Sequence, residues 1–542
     1  MSPPSQKGIA LITGSAQGIG RGIALRLARD GFDIALNDLP TKSGQLAAVA
    51  SEVEALGRKA CIVIADVTIE EEVKNMVNDT VKELSGLDVM VANAGIPGAN
   101  TVLATTVEDW ERAFTVNARG VFLCYKHAAV QMISQGRGGR IIGASSIAGK
   151  IGFPSAAAYC ASKFAVRGLT QTAALELGKY NITVNSYAPG VIQTEIRTFY
   201  VIVCRSKLID SVNSLIGNRP IKHNGQPEDI ASIVSYLASK EAHFITGEYL
   251  FAHVQLRRPY SVWYGFKLRN FGISSLKVVR GTAQTLPVMS HSKGVALVTG
   301  SAQGIGRAIA IRLAQDGFDL VLNDLPGKKE ALEDFAAELQ RGGEPEGSYH
   351  PRTCIVTCDV SEEDEVKSMI DTAVNVLGSL DVMIANAGIS AMVDLLSETI
   401  EGWDRMMRIN ATSAFLCYKY AAIQMVKQGR GGRIIGASSM VGIQATSPLL
   451  SYSASKFAVR GITQAAALQL GQYGITVNSY APGIIATPMG KCYKHFCCTI
   501  DASAVGYVGQ PEDVASAVAY LASKEAHFIT GKFPIRQGLY VN

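Results

Sequence analysis

A serine, a tyrosine and a lysine recur at fixed spacing in two places, and together they could move a proton to or from a bound oxygen. The two sets are Ser146, Tyr159 and Lys163, and Ser439, Tyr452 and Lys456. Tyrosine and lysine are four residues apart in each set, so on a helix they share one face. A free tyrosine has a pKa of about 10, and a neighbouring ammonium favours the phenolate and lowers that pKa. A serine hydroxyl can then hold the substrate oxygen while the tyrosine exchanges its proton.

A glycine-rich turn lies upstream of each set and could bind the pyrophosphate of a dinucleotide. An apolar, strand-like run precedes each turn and a helix-like segment follows it. Glycines there allow a tight turn and let the backbone approach a phosphate at the helix N-terminus. The candidate residues are Gly14, Gln17, Gly18, Ile19 and Gly20 in the first turn, and Gly300, Gln303, Gly304, Ile305 and Gly306 in the second.

An acidic residue at the end of the second predicted strand favours NAD over NADP. Asp38 lies 18 residues beyond Gly20, and Asp324 lies 18 residues beyond Gly306. A carboxylate at that distance can accept hydrogen bonds from a ribose hydroxyl and would repel a 2′-phosphate. No arginine or lysine directly follows either aspartate, and Gln17 rather than a basic residue precedes the second glycine. We therefore expect NAD, with NADP as the less favoured cofactor.

The repeated motifs indicate one duplicated domain within the 542 residues. The segment TGSAQGIGR at 13–21 recurs at 299–307, and ITVNSYAPG at 182–190 recurs at 475–483. At roughly 150 residues per domain the length alone allows two to four domains. We predict a first domain at 1–250, a linker without counterpart at 251–288, and a second domain at 289–542.

Composition and charge narrow the class of protein. With 48% hydrophobic and 18% charged residues the chain is globular. The linker at 251–288 carries six basic residues and no acidic one, so it accounts for the net charge of +5. Basic residues interleaved with aromatic ones could bind nucleic acid or a membrane surface. One such stretch beside neutral domains is weak evidence for binding to either. We therefore expect neither partner. Ten cysteines are too few for a disulfide framework, which favours a reducing, cytoplasmic compartment.

Short apolar runs alternate with longer amphipathic stretches in each copy. In the first copy the predicted strands are Ile9–Thr13, Asp33–Asn37, Ala60–Ala65, Val89–Ala92, Arg140–Ala144 and Thr183–Tyr187. The predicted helices are Gly20–Arg29, Gln45–Leu56, Ile69–Leu84, Val107–Gln135 and Ala157–Lys179. This pattern predicts an α/β fold of two tandem Rossmann-type, doubly wound domains with mainly parallel sheets.

Four ordered motifs in each copy resemble those of the short-chain dehydrogenase/reductases. They are a TGxxxGxG turn, an Asn-Ala-Gly segment, a serine and a YxxxK pair, and the resemblance covers nearly all of both copies. It implies a dehydrogenase that uses a nicotinamide cofactor and no metal. Several further segments, such as SKFAVRGLTQTAA at 162–174, are similar to acetoin (diacetyl) reductases and 2,3-butanediol dehydrogenases. This closer similarity implies a small vicinal ketone or alcohol as the substrate.

The resemblance also implies roles for residues outside the two catalytic sets. Asn117 and Asn410 are expected to anchor the water of a proton relay. Adenine contacts are expected from Asp66, Val67, Asp359 and Val360, and further cofactor contacts from Asn93, Gly95, Asn386 and Gly388, besides the tyrosine and lysine of each set. The nicotinamide amide is expected to be held by Pro189, Gly190, Thr194, Pro482, Gly483 and Thr487.

The sequence departs from the family pattern where a substrate lid and a last strand are expected. The lid after Thr194 is unusually apolar in copy 1, whereas copy 2 keeps Pro488-Met489 and is the favoured active copy. After Gly247 copy 1 is expected to enter the linker, without a final strand. A reductase of another family branch and a catalytically impaired, cofactor-binding fusion therefore remain open.

Two further expectations concern metals and assembly. The spacing of Cys492, His495, Cys497 and Cys498 fits no structural zinc pattern, so we expect no metal site. Family members commonly associate through paired long helices, here Val107–Gln135 and Ala157–Lys179. We therefore expect the two copies to form an internal pseudo-dimer, with further homo-oligomerisation left open.

Overall fold

The structure is a computed structural model. It describes residues 6–98, 100–190, 192–194, 225–243, 245–252, 292–341, 349–489, 508–527 and 529–531. The predicted lid segments, most of the linker at 251–288 and the Cys492–Cys498 segment lie outside these ranges. Within the described ranges no helix combines the length and the apolarity that a membrane crossing requires.

Strands and helices alternate along the first copy. Its elements are β1 (Gly8–Thr13), α1 (Gly18–Asp30), β2 (Phe32–Asp38), α2 (Ser43–Ala55), β3 (Ala60–Ile64), α3 (Glu70–Leu84), β4 (Val89–Ala92), α4 (Val107–Phe114), α5 (Gly120–Gln135), β5 (Gly139–Ala144), α6 (Ala157–Leu177), β6 (Ile182–Pro189), α7 (Pro227–Ala238) and β7 (Tyr249–Ala252). The six predicted strands agree with β1 to β6 to within a few residues at each end.

The second copy repeats this order. Its elements are β8 (Val295–Thr299), α8 (Gly304–Gln315), β9 (Asp319–Asp324), α9 (Lys329–Arg341), β10 (Thr353–Thr357), α10 (Glu363–Leu377), β11 (Val382–Ala385), α11 (Ile400–Met407), α12 (Ser413–Gln428), β12 (Gly432–Ala437), α13 (Leu450–Leu470), β13 (Ile475–Tyr480) and α14 (Pro511–Ala522).

Each copy contains one parallel sheet with helices on both faces. The described strands are ordered β3-β2-β1-β4-β5-β6-β7 in one sheet and β10-β9-β8-β11-β12-β13 in the other. Strands such as β1 are buried along nearly their whole length, as expected when both faces are covered. The order reverses between β1 and β4, and between β8 and β11. Ligands of such sheets bind at this switch point, beyond the carboxyl ends of the strands. The predicted fold class is confirmed.

Two elements of copy 1 differ from the sequence expectation. The predicted helix Val107–Gln135 is interrupted by one π-helical turn, Thr115–Arg119. The chain does not leave the sheet after Gly247, because β7 pairs in parallel with β6 from Ser186 opposite Tyr249 onward. The expectation that copy 1 lacks a final strand is therefore wrong, and its predicted domain boundary at residue 250 falls within β7.

The two copies pack against each other along their long helices. α6 and α13 lie side by side, and Gly168 of one and Gly461 of the other allow the close approach. A Cβ atom on Gly168 would come within 2.8 Å of the Phe457 ring. α4 and α5 of copy 1 contact α12 and α11 of copy 2 crosswise, because Trp110 on α4 stacks on Phe415 of α12 and Phe122 on α5 stacks on Trp403 of α11. The helices that the sequence predicted for pairing thus meet within one chain.

Candidate active sites

The glycine turn after β1 has the backbone geometry that only glycine adopts without strain. Gly14 and Gly18 have φ angles of +64° and +56°, in the left-handed region. Gly20 is required for a different reason, which is the lack of space for a side chain. A Cβ atom there would overlap the carbonyl oxygen of Gly14 and lie 2.7 Å from Nδ2 of Asn93. The turn therefore leaves an uncovered backbone cradle before the N-terminus of α1, where an anion is favoured.

The carboxylate of Asp38 lies beside this cradle. It accepts hydrogen bonds from the N–H of Ala16 (3.1 Å) and the N–H of Leu39 (2.9 Å), so its orientation is fixed at the end of β2. Lys42, four residues later, donates to Oε1 of Gln17 at 3.0 Å. Copy 1 thus places an ammonium next to the turn, which was not apparent from the residues that directly follow Asp38.

Asn93, which directly follows β4, links that strand to the glycine turn after β1. Its Nδ2 donates to the carbonyl oxygens of Thr13 (2.8 Å) and Gly14 (3.1 Å), while its Oδ1 accepts a hydrogen bond from the Tyr187 hydroxyl at 2.7 Å. Thr13 Oγ1 in turn accepts hydrogen bonds from the N–H groups of Asn93 and Ala94. Sequence reasoning did not single out Thr13 or Tyr187, although both lie in segments that recur in the second copy.

Asn117 lies in the π-helical turn, where it is buried. Its Oδ1 accepts from the N–H of Ile96 at 2.8 Å and its Nδ2 donates to the Ile96 carbonyl at 3.0 Å and to Ser162 Oγ at 3.2 Å. A π-helical turn inside an α-helix is rare and often marks a functional site. Here the turn presents Asn117 to the loop that follows β4.

Ser146, Tyr159 and Lys163 converge next to Asn117. The Ser146 and Tyr159 side chains hydrogen-bond to each other, and Nζ of Lys163 lies 5.7 Å from the centroid of the Tyr159 ring. A Cβ atom on Gly95 would lie 3.1 Å from Oδ1 of Asn117 and 3.3 Å from Nζ of Lys163. All four predicted catalytic side chains therefore share one region at the carboxyl ends of β4 and β5.

The pKa of the tyrosine differs from the sequence expectation. Burial raises the pKa of Tyr159 to about 12, although its hydrogen bond with Ser146 lowers it in part. Burial also lowers the pKa of Lys163 to about 8. The expected lowering of the tyrosine pKa by the ammonium is therefore wrong for this arrangement. Burial of the phenol is the largest cause of the raised pKa of Tyr159, and Nζ of Lys163 donates to the Ala144 carbonyl at 2.9 Å.

The second copy repeats the site. Asn410 lies in the π-helical turn Arg408–Thr412. Its Oδ1 accepts a hydrogen bond from the N–H of Ile389, and its Nδ2 donates to the Ile389 carbonyl. Lys456 donates to the Ala437 carbonyl at 3.0 Å and lies 5.6 Å from the centroid of the Tyr452 ring, and burial lowers the pKa of Lys456 to about 8. The remaining members of this site are Ser439, Asn386 and Gly388, with Asp324 held by the N–H groups of Ala302 and Leu325.

The residues expected around the adenine and nicotinamide lie at the same sheet edge. Asp66, after β3, accepts a hydrogen bond from the N–H of Thr68, and the following Val67 packs against Gly120. Pro189 ends β6 and Gly190 follows it. Thr194 reaches back over the turn, since a Cβ atom on Gly18 would lie 3.5 Å from its methyl group. In the second copy Asp359, Val360, Pro482, Gly483 and Thr487 occupy the equivalent positions.

These residues fit a dinucleotide in both copies. The turn itself carries no side chain at Gly14, Gly18 and Gly20, so its backbone can approach a phosphate, and a fixed carboxylate stands where a ribose would be held. Among the described residues no cluster of three or more histidine, cysteine or acidic side chains has metal-binding geometry.

Comparisons with known proteins agree with this geometry. The family model described as enoyl-(acyl carrier protein) reductase matches residues 14–253 and 300–535, most of the chain. A short-chain dehydrogenase/reductase of Armillaria gallica is 51% identical over 244 residues, which cover 45% of this chain and 94% of the relative. The L-2,3-butanediol dehydrogenase of Corynebacterium glutamicum is 40% identical over 253 residues, covering 44% and 95%.

A third relative has a different substrate in its name. The 3-oxoacyl-(acyl-carrier-protein) reductase of Staphylococcus epidermidis is 38% identical over 239 residues, which cover 44% of this chain and 94% of that protein. Each of these relatives is matched over nearly its whole length by less than half of the chain. With two matched regions of one family model, the chain belongs to the short-chain dehydrogenase/reductase family of oxidoreductases and contains that family's domain twice.

Proposed function

We propose that this chain is an NAD-dependent oxidoreductase with two active sites that interconvert a small ketone or diketone and its alcohol. The observation that carries the proposal is the convergence, in both copies, of serine, tyrosine, lysine and asparagine beside a glycine cradle. The domains are proposed to span 1–250 and 289–542, with β7 extending the first domain to Ala252. The described cysteines are all free, which fits the cytoplasm as the compartment.

The side chains have complementary roles in the reductive direction. A bound nicotinamide supplies the hydride. Ser146 holds the carbonyl oxygen of the substrate, and Tyr159 donates its proton to that oxygen as the hydride arrives. A tyrosine whose pKa is raised to about 12 is protonated at neutral pH, which suits it to be the acid. Lys163 holds the cofactor ribose, and Asn117 anchors the water through which the proton is replaced.

The fixed carboxylates of Asp38 and Asp324 support NAD, because a 2′-phosphate would be repelled there. Lys42 beside Gln17 is the observation that favours NADP in copy 1, and this cofactor remains the alternative. The similarity to a butanediol dehydrogenase supports a vicinal diketone or hydroxyketone such as diacetyl or acetoin. The similarity to a 3-oxoacyl reductase supports an acyl thioester as the alternative substrate.

The test is to follow NADH or NADPH absorbance with diacetyl, acetoin, 2,3-butanediol and a 3-oxoacyl thioester. We expect turnover of the small diketone with NADH. Preference for the thioester with NADPH would establish the alternative branch. Binding of NADH without turnover of any of these substrates would identify a catalytically impaired fusion and contradict the proposal.

A further inference from the structure

The loop that precedes each catalytic tyrosine is held by a glutamine of the other copy. The N–H of Gly152, in copy 1, donates to Oε1 of Gln464 on α13 at 2.9 Å. In the reverse direction the N–H of Ala445, in copy 2, donates to Oε1 of Gln171 on α6 at 3.1 Å. The two glutamines occupy equivalent positions in the repeat, and so do Gly152 and Ala445. Each copy therefore both gives and receives this contact.

The held loop connects two members of the catalytic set. In copy 1 it runs from Ser146 to Tyr159, so its backbone fixes where both side chains begin. Gly152 is buried, and a Cβ atom there would lie 2.5 Å from the backbone nitrogen of Ala465. The loop thus lies directly on the helix of the other copy.

The turns that carry the catalytic asparagines are also tied across the interface. Nε1 of Trp110 donates to Oγ1 of Thr412, the last residue of the π-helical turn of copy 2, at 3.0 Å. Arg119, the last residue of the π-helical turn of copy 1, forms an ion pair with Asp404 of copy 2. In each site, the loop before the catalytic tyrosine and the π-helical turn with the catalytic asparagine are therefore both contacted by residues of the opposite copy.

Reciprocal aromatic stacks flank these turns. Trp110 stacks on Phe415 with ring centroids 4.5 Å apart, and Trp403 stacks on Phe122 with centroids 4.8 Å apart. Each phenylalanine lies five residues after the catalytic asparagine of its own copy. These stacks add aromatic contacts between the copies beside both π-helical turns.

We propose that Gln464 and Gln171 are positioning residues that act across the interface, Gln464 on the Tyr159 site and Gln171 on the Tyr452 site. The proposal deepens the proposed function and rests on it for the identity of the tyrosines. Removing Oε1 of Gln464 leaves the N–H of Gly152 buried without a hydrogen-bond acceptor. Burying an N–H group without an acceptor costs free energy, because the group has lost its hydrogen bonds to water. The loop then shifts, and a small displacement of catalytic groups lowers the rate strongly.

The kinetic test isolates one site at a time. In a Tyr452→Phe background only copy 1 turns over, and Gln464→Met is expected to lower its kcat/KM about tenfold, with most of the loss in kcat. In a Tyr159→Phe background the same substitution is expected to change copy 2 less than twofold, although it lies in copy 2. Gln464→Glu keeps the acceptor and is expected to restore at least half of the copy 1 rate. Gln171→Met should give the mirror-image result.

Hydrogen exchange supplies a readout that does not depend on turnover. In Gln464→Met the amides of residues 147–156 are expected to exchange about tenfold faster, while those of 440–449 keep the wild-type rate. If wild type fails to turn over any carbonyl substrate, the proposed function fails but this exchange experiment still decides the positioning role. Equal exchange at 147–156 in wild type and variant, or a rate loss confined to copy 2, would overturn the inference.

Discussion

Replacing Glu176 by glutamine should stabilise the protein at alkaline pH. Glu176 lies on α6 in the interface between the copies, where its carboxylate accepts hydrogen bonds from the N–H of Leu395 at 2.7 Å and from Oγ of Ser447 at 3.3 Å. Burial, together with the nearby charge of Asp394, raises the pKa of Glu176 to about 7. The equivalent residue of copy 2 is Gln469, which accepts from the N–H of Val102 at 2.6 Å.

The magnitude follows from the rise in pKa. A rise from 4.5 to about 7 corresponds to at most about 3–4 kcal/mol, at about 1.4 kcal/mol per pH unit. Glu176 is only partly buried, so solvent screening reduces this to about 1–2 kcal/mol. Because the pKa is higher in the folded state, ionisation destabilises the fold. The destabilisation is absent below pH 4.5, grows between pH 4.5 and 7, and is complete above pH 7.

Urea unfolding of wild type and Glu176→Gln at pH 5 and pH 8 measures this effect. We expect nearly equal free energies of unfolding at pH 5, since Glu176 in the folded protein is still protonated there and only a small part of the destabilisation has developed, and a gain of about 1–2 kcal/mol for the variant at pH 8. The matched control is Gln469→Glu, which places the same carboxyl at the equivalent position and should lose stability at pH 8 only. A variant that is destabilised equally at both pH values would refute the reasoning.

Three further predictions concern the sites. Gly20→Ala should reduce the stoichiometry of NADH binding in calorimetry from two per chain to one, because the added Cβ overlaps the cradle; retention of two sites would contradict this. Asp38→Ala combined with Asp324→Ala should raise the ratio of kcat/KM for NADPH to that for NADH at least about tenfold, since a carboxylate no longer repels the 2′-phosphate; an unchanged ratio would count against NAD selection by these residues. In a Tyr452→Phe background the reductive kcat/KM should fall as pH rises through about 8, because Lys163, which is proposed to hold the cofactor ribose, loses its proton there. A flat profile from pH 6 to 10 would exclude a role for the Lys163 ammonium in the reaction.

Patterns that repeat in the sequence predicted the parts of the fold that depend on local chemistry. Apolar runs predicted β1 to β6, most of which are buried on both faces and are therefore apolar along their length. The glycine turns were predictable because their positive φ angles and the space at Gly20 exclude other residues. The duplication itself predicted that the second site would have the same geometry as the first.

Features that depend on tertiary contacts were not predictable in the same way. The π-helical turn at Asn117 follows no change in apolar spacing, so Val107–Gln135 was expected to be one continuous helix. The pKa of Tyr159 depends on how deeply the phenol is buried, whereas the sequence showed only a lysine four residues away. The contact of Gln464 with Gly152 joins residues more than 300 positions apart, and glutamine on a helix carries no local signal of it.

The central claim, that two tyrosines in one chain catalyse NADH-dependent carbonyl reduction, is tested most directly with three variants. NADH oxidation with diacetyl is measured for Tyr159→Phe, Tyr452→Phe and the double variant, alongside NADH binding by fluorescence. The account predicts that the two single variants together sum to the wild-type rate. The double variant should lose at least about a hundredfold while it still binds two NADH per chain. A double variant that retains more than a tenth of the wild-type rate would contradict the account.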